Sequence, residues 1–293
     1  MQVVVYGRLL KEKDTPFIQT LFDVLHEKGI NAYVYQPYLD MLKGNIRFKS
    51  DVGIFESYLD FVTRKFDYII TLGGDGTILK ATTLVRDSNV PILGINLGRL
   101  GFLASIEKTR ISEAIELLNR GMYSIDERTL LYLESNIPIF GDTCFALNDC
   151  TLLKRDTSSM ITIHVFINGA YLSSYWADGV IISTPTGSTG YSLSCGGPLI
   201  HPRSHNFVIT PVSPHSLTAR PVVVPDESVL SFKIEGRSHA FLVSLDSRFE
   251  TVDDTIELEV RKADFKVKLL VTEGNSFIST IRQKLNWGLD ARN

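Results

Sequence analysis

Two clusters of small and polar residues in this 293-residue chain have the composition to do chemistry. The first is Gly73-Gly74-Asp75-Gly76-Thr77, directly after the apolar run Tyr68-Ile69-Ile70-Thr71-Leu72. The second is Asp178-Gly179-Val180-Ile181-Ile182-Ser183-Thr184-Pro185-Thr186-Gly187-Ser188-Thr189-Gly190-Tyr191. A turn of Gly and Thr leaves backbone N–H groups uncovered, so an anion can approach them, and each embedded Asp offers a carboxylate to a hydroxyl or a metal. Both clusters therefore read as phosphate and sugar sites. They lie far apart in sequence, and a cleft between two domains is the economical way to bring them onto one ligand.

Each cluster also has a plainer reading. Gly73–Gly76 is not the dinucleotide fingerprint, which would need Gly where Leu79 stands, and no Gly-Lys-Ser/Thr makes a Walker A loop. A tight strand-to-helix turn chosen for its backbone angles stays open. Asp75 argues for function, because a carboxylate beside a phosphate cradle is unfavourable unless it binds a cation or takes a proton during reaction. Gly94 to Phe102 is a second Gly-rich turn after a strand, either loop geometry or part of a site. Asn148-Asp149 interrupts a β segment and is either an ordinary turn or a binding pair whose amide and carboxylate suit an adenine edge and a ribose diol. Thr184 to Tyr191 sets four hydroxyls and two glycines beside one aromatic ring, a combination able to bind polar edges and flank a planar base. His201, His205 and His215 lack zinc-ligand spacing and read as loop residues. Asp246-Ser247-Arg248 leaves a strand as a charged rim or a surface turn.

The elements that position these residues change character along the chain. Val3–Tyr6, Asn31–Tyr35, Tyr68–Leu72 and Pro91–Ile95 read as strands, alternating with helices that carry Phe17, Leu21, Val24 and Leu25, then Thr77 to Val85, then Ser112 to Asn119. That alternation implies a parallel sheet covered by helices, with ligands beyond the carboxyl ends of its strands. After Ser124 the pattern is β-rich: Leu130–Leu133, Ile161–Ile167, Val180–Ile182, Asn206–Ile209, Phe241–Leu245 and Thr255–Val260, with Asn168-Gly169 as a hairpin turn. Phe277, Ile281 and Leu285 repeat at helical spacing. The expected organisation is an α/β domain over 1–124 with a parallel sheet, a β-rich domain over 125–270, and a final helix in 271–293 returning to the first domain.

Composition narrows the function. Thirty Lys+Arg against 33 Asp+Glu give a net charge of −3, which argues against a dedicated nucleic-acid binder while leaving a nucleotide ligand open. Cys144, Cys150 and Cys195 have no CxxC spacing and cannot all pair, which points to reduced thiols, a cytoplasmic setting and no structural zinc. No stretch reaches the roughly 18 apolar residues of a membrane-spanning helix, and the N-terminus has no signal-peptide pattern.

In order and spacing, Gly73–Thr77, Gly98-Arg99-Leu100-Gly101-Phe102-Leu103, Asn148-Asp149, and Asp178 to Tyr191 followed by Ser194-Cys195-Gly196-Gly197-Pro198 resemble the NAD kinases of bacterial type. The match runs from Tyr68 to Pro225. GGDG alone is shared with diacylglycerol, sphingosine and 6-phosphofructo kinases; the later Asp-Gly to Gly-Tyr block is far more specific. The resemblance implies ATP-dependent phosphorylation of the 2′-hydroxyl on the adenosine ribose of NAD, giving NADP, with a divalent cation, usually Mg2+. It also implies Asp75 as the general base or essential polar group at that hydroxyl, bordered by Gly74 and Gly76. Phe102, Asn148, Asp149, Thr186, Thr189, Gly190, Tyr191 and Ser194 match positions that hold the adenine and riboses. Asp178 matches a residue that meets the nicotinamide end at a neighbouring subunit's site, which implies a homo-oligomer, dimer or tetramer. Asp149 stands where Glu is commoner, and Asp246-Ser247 lacks the Gly of the frequent Asp-Gly pair. Two rivals remain: a lipid or sugar kinase of the GGDG type, disfavoured by the hydroxyl-rich second turn, and a non-catalytic dinucleotide sensor, disfavoured by Asp75.

Overall fold

The computed structural model describes residues 1–156, 159–237, 239–272 and 276–286. In chain order its elements begin β1 (Gln2–Gly7), α1 (Thr15–Glu27), β2 (Asn31–Tyr35), α2 (Gln36–Leu42), β3 (Gly53–Phe55), α3 (Tyr58–Thr63), β4 (Tyr68–Gly73), α4 (Asp75–Val85), β5 (Ile92–Asn96), β6 (Ile106–Glu107) and α5 (Ile111–Asn119). They continue β7 (Ser124–Ser135), β8 (Phe145–Ala146), β9 (Asp149–Lys154), β10 (Ile161–Ile167), β11 (Ala170–Ala177), β12 (Gly179–Ser183) and α6 (Tyr191–Ser194). The last are β13 (Asn206–Val212), β14 (Val222–Pro225), β15 (Leu230–Glu235), β16 (Phe241–Leu245), β17 (Arg248–Val252), β18 (Leu258–Val271) and α7 (Phe277–Leu285). The chain divides into two compact units: Met1–Glu127 with Val267–Asn293, and Arg128–Lys266.

In the first unit β3-β2-β1-β4-β5 form a parallel sheet, with Leu269 of β18 opposite Ile92. β1, β4 and β5 are nearly continuous apolar runs, as expected of parallel strands covered on both faces. The stripe of α1 that enters the core is Ile18, Leu21, Phe22 and Leu25, with Phe17 and Val24 at its margin. The strand order reverses between β1 and β4, so the chain leaves their carboxyl ends in opposite directions and opens a crevice there, the usual ligand position in such sheets.

The second unit is antiparallel. One sheet runs β11-β10-β15-β18, its first hairpin turned by Asn168 and Gly169 at φ 50° and 78°. The other runs β14-β13-β12-β9-β16-β17. Ile163, Val165 and Phe232 from the first pack with Leu152, Ile182, Phe207 and Val243 from the second in one core. Each fully buried Phe there contributes about 1.5–3 kcal/mol. Two local readings change. Thr255 lies in a turn, because the Asp253 carboxylate accepts from both its N–H and its hydroxyl, so β18 starts only at Leu258. Asp149 is no turn residue: it opens β9, between β12 and β16 in the six-stranded sheet. Among the described residues no helix is long and apolar enough to cross a membrane.

Candidate active site

In the first unit Gly74 caps α4, and Asp75 is the first residue of that helix. Its carboxylate accepts three successive backbone amides: Phe102 N–H at 2.8 Å on Oδ2, and Leu103 and Ala104 N–H at 3.0 Å each on Oδ1. A Cβ built on Gly101 would fall 1.8 Å from Asp75 Oδ1, so only glycine lets the loop come this close. By sequence, Asp75 calls for a cation or a proton from the reacting group to offset its charge beside phosphates. The amides of 102–104 already supply that compensation.

Gly74 and Gly76 are exposed, and a Cβ on either would meet nothing within 4 Å. They border a cavity of about 440 Å3 that Arg8, Lys11, Lys13, Asn96 and Arg99 also line. These residues follow the carboxyl ends of β1, β4 and β5, which is the crevice the strand order opens. The single carboxylate of the lining, Asp14, is buried and held by Lys108 Nζ at 2.8 Å. No carboxylate among the described residues pairs with Arg8, Lys11, Lys13 or Arg99, so four exposed cations converge without counter-charge. The Asn96 side chain shapes the rim, accepting from Gly98 N–H at 2.7 Å and donating to the Arg99 carbonyl. Such a pocket takes a polyanion of phosphate size.

In the second unit Asp149 is buried, 7% exposed, and neither its carboxylate nor the Asn148 amide has a hydrogen-bond partner among the described residues. Burial, reinforced by the charge of Asp246, pushes the Asp149 carboxyl up to about 7. Asn148 Nδ2 and Asp149 Oδ2 converge on Gly190, each 3.8 Å from where its Cβ would be. Gly187 lies against the Asn148 carbonyl, where a Cβ would come to 2.1 Å. The arrangement presents one amide and one carboxylate, side by side and unsatisfied, at the edge of the 187–190 turn. That pair suits a vicinal diol and a purine edge.

The decisive observation is in the sequence families. The ATP-NAD kinase N-terminal domain model matches residues 8–123 and the C-terminal domain model residues 147–272. The chain belongs to the ATP-NAD kinase family. It is 48% identical to the NAD kinase of Cytophaga hutchinsonii over 294 residues, and 44% identical to that of Flavobacterium psychrophilum over 295, covering 100% of both chains in each case. The crystal structure of yeast NADH kinase complexed with NADH has the same fold, with a TM-score of 0.87 at 23% identity, covering 99% of this chain and 88% of that one.

Within this family member the sequence-derived residues fall into different surroundings. Asp75, Gly74, Gly76 and Phe102 cluster in the first unit; the Lys284 ammonium of α7 stands 4.9 Å over the Phe102 ring. Asn148, Asp149 and Gly190 cluster in the second unit, with Tyr191 41% exposed and Ser194 exposed nearby on α6. The hydroxyls of the 184–189 turn do more folding than presenting. Thr184 Oγ1 donates to the Leu147 carbonyl at 2.5 Å, and Ser188 Oγ donates to the Pro185 carbonyl at 2.7 Å. Thr186 is buried, its Oγ1 accepting from Arg128 at 3.2 Å, and Thr189 Oγ1 donates to the Thr186 carbonyl at 3.1 Å. Asp178 pairs with Lys154 Nζ at 2.5 Å.

Two sets of residues escaped the sequence reading. The basic run Arg8, Lys11, Lys13 passed as a polar loop, although cations directly after an apolar strand were the available signal. For Asp246 and Arg248 the sequence offers a charged rim or a surface turn, and neither describes what they do. Asp246 sits at φ 54°, and its carboxylate turns back to accept the amides of Leu147 at 3.0 Å, Asn148 at 2.7 Å and Asp149 at 3.3 Å. Arg248 donates to the carbonyls of Thr143 and Phe145.

Proposed function

We propose that the cationic cavity beside Gly73–Gly76 holds the triphosphate of ATP, and that Asn148, Asp149 and the 189–191 turn hold the adenosine of NAD, whose 2′-hydroxyl accepts the γ-phosphoryl group. The observation that carries the acceptor assignment is Asp149: its side chain is mostly buried, no described protein group bonds its carboxylate, and the acceptor oxygens left open to solvent are the ones ribose hydroxyls would meet. The four unpaired cations and the open glycines support the donor assignment in the same way.

Phosphoryl transfer passes through a loose transition state, so placement and charge compensation do most of the catalysis. Asp75 is the group we assign to the reacting hydroxyl. A carboxylate has roughly four acceptor positions, and the amides of 102–104 occupy three. The remaining position can orient the hydroxyl and receive its proton as the P–O bond forms. The same amides keep that carboxylate from swinging away. Gly74 and Gly76 leave room for phosphate oxygens, and Arg8, Lys11, Lys13 and Arg99 offset their charge.

A divalent cation, Mg2+ in our reading, fits as part of the substrate. No three His, Cys, Asp or Glu side chains stand together as a ligand set among the described residues. A cation carried on the ATP phosphates would neutralise charge on the transferring group. Three free thiols support a cytoplasmic setting. The strand edges of the second unit and the Asp178 correspondence support a homo-oligomer.

The test is Asp149→Ala, read by separate titrations of NAD and ATP. NAD affinity falls by ten- to a hundredfold or more, since each charge-assisted hydrogen bond contributes about 1.5–3 kcal/mol; ATP affinity stays. Unchanged NAD affinity would make the pair structural.

A further inference from the structure

Asp246 is half-buried, and its carboxylate collects three backbone hydrogen bonds, as that of Asp75 does in the first unit. Its Oδ1 accepts Asn148 N–H at 2.7 Å and Asp149 N–H at 3.3 Å, and its Oδ2 accepts Leu147 N–H at 3.0 Å. The contact is reciprocal, because Asp246 N–H donates to the Asp149 carbonyl at 3.0 Å. Two residues on, Arg248 holds the carbonyls of Thr143 and Phe145. One hairpin turn therefore grips the 143–149 segment by its amides and its carbonyls. The left-handed φ of 54° at Asp246 is an uncommon conformation for a non-glycine residue, and it is kept where Gly would be easier on the backbone. Glycine would forfeit all three carboxylate contacts.

The grip has an electrostatic side. Asp246 brings a second carboxylate against a residue whose own carboxylate is buried and unpartnered. The other ionisable groups around Asp149 are Tyr191 on α6, Cys150 next in β9, and Arg248 behind Asp246. Burial raises Tyr191 and Cys150, so both stay neutral near pH 7; burial raises Asp246 as well, opposed by the amides of 147–149 and by the Arg248 charge, which favour its ionised form. Asp246 is the one neighbouring charge that acts on Asp149, after burial itself.

We propose that Asp246 is a positioning residue for the dinucleotide site: it fixes Asn148 and Asp149 through three consecutive amides, and its charge couples capture of the ribose diol to proton release from Asp149. This rests on Asp149 binding NAD. The ionised Asp149 carboxylate accepts from both hydroxyls, whereas the protonated form has lost an acceptor position to its own O–H. NAD affinity therefore rises as pH increases through about 7, where Asp149 ionises in the free enzyme.

The experiment is calorimetric titration of the full chain with NAD across the neutral pH range, for the parent, Asp246→Asn and Asp149→Asn. Asp246→Asn keeps the size of the side chain and removes its charge. It should weaken NAD a few-fold at every pH and move the acid limb of the affinity profile down by roughly one pH unit. A uniform loss with the limb in place overturns the coupling and leaves Asp246 as a purely structural brace. Asp149→Asn separates the two levels: it should abolish the limb and weaken NAD. Retained parental affinity in Asp149→Asn sinks the site assignment itself, whereas lost affinity with an unmoved limb in Asp246→Asn sinks only the coupling. If Asp246→Asn does not fold, a carbon-13 NMR titration of the Asp149 carboxyl in the parent decides, and ionisation in the ordinary carboxylate range overturns the proposal.

Discussion

Both units fasten a loop by the same device, an aspartate accepting three consecutive amides, yet they use it in opposite ways. In the first unit the fastened loop, 102–104, lies behind, and the fastening residue Asp75 is itself at the Gly-rich turn. In the second unit Asp246 fastens from behind, and Asp149, the first residue of β9, is brought forward with no protein partner on its carboxylate. The difference separates two demands. A group that meets a reacting atom needs a fixed direction, and amides already in place provide it before substrate arrives. A group that binds needs unsatisfied acceptors, so the burden of holding it passes to another residue. Burial then raises the cost of leaving it empty.

The sharpest break in this comparison is Asp75→Asn. It removes charge and proton-accepting capacity, and sets an NH2 group against amides that also donate. We expect kcat to fall by roughly 10²–10⁴-fold, with NAD binding retained in direct titration. Near-parental turnover by a folded variant would move the chemistry elsewhere. Next is Gly101→Ala, whose Cβ would overlap Asp75 Oδ1 at 1.8 Å. The loop must withdraw, at a cost of about 1–3 kcal/mol in thermal or denaturant unfolding, with kcat reduced alongside. An unperturbed Gly101→Ala would mean that the direction of Asp75 is set by α4 alone. The smallest effect belongs to the exposed cations. Lys11→Ala or Lys13→Ala should raise KM for ATP a few-fold, leave KM for NAD alone, and lose this difference in high salt, because exposed charges are screened. Equal effects on both substrates would detach the cavity from the donor.

Much of this was legible beforehand, for identifiable reasons. The parallel sheet announced itself through buried apolar runs that end at glycine, and the hairpin at Asn168-Gly169 through its need for positive φ. Gly74, Gly76 and Asp75 were visible because composition alone marked them. What composition could not convey was direction. Thr184, Thr186 and Ser188 look like ligand groups in a string of letters, and the fold turns their hydroxyls inwards, onto the Leu147 carbonyl, the Arg128 guanidinium and the Pro185 carbonyl. Asp246 and Arg248 look like a charged rim or a surface turn for the converse reason: their partners are backbone atoms 98 and 103 residues earlier, which carry no side-chain signature. Arg8, Lys11 and Lys13 became meaningful only when strand order brought the ends of β1, β4 and β5 together.

The pairing of Leu269 with Ile92 has a consequence for how the protein is made. The first unit is composed of two separated stretches, and the later one leaves the ribosome only after the whole of 128–266 has been synthesised. During translation, at about 5–20 residues per second, β5 therefore waits many seconds for its neighbour while the antiparallel unit emerges and can already fold. The N-terminal strands can pair among themselves before then, but the unit that carries Asp75 gains its last strand only after the second unit is complete on the ribosome.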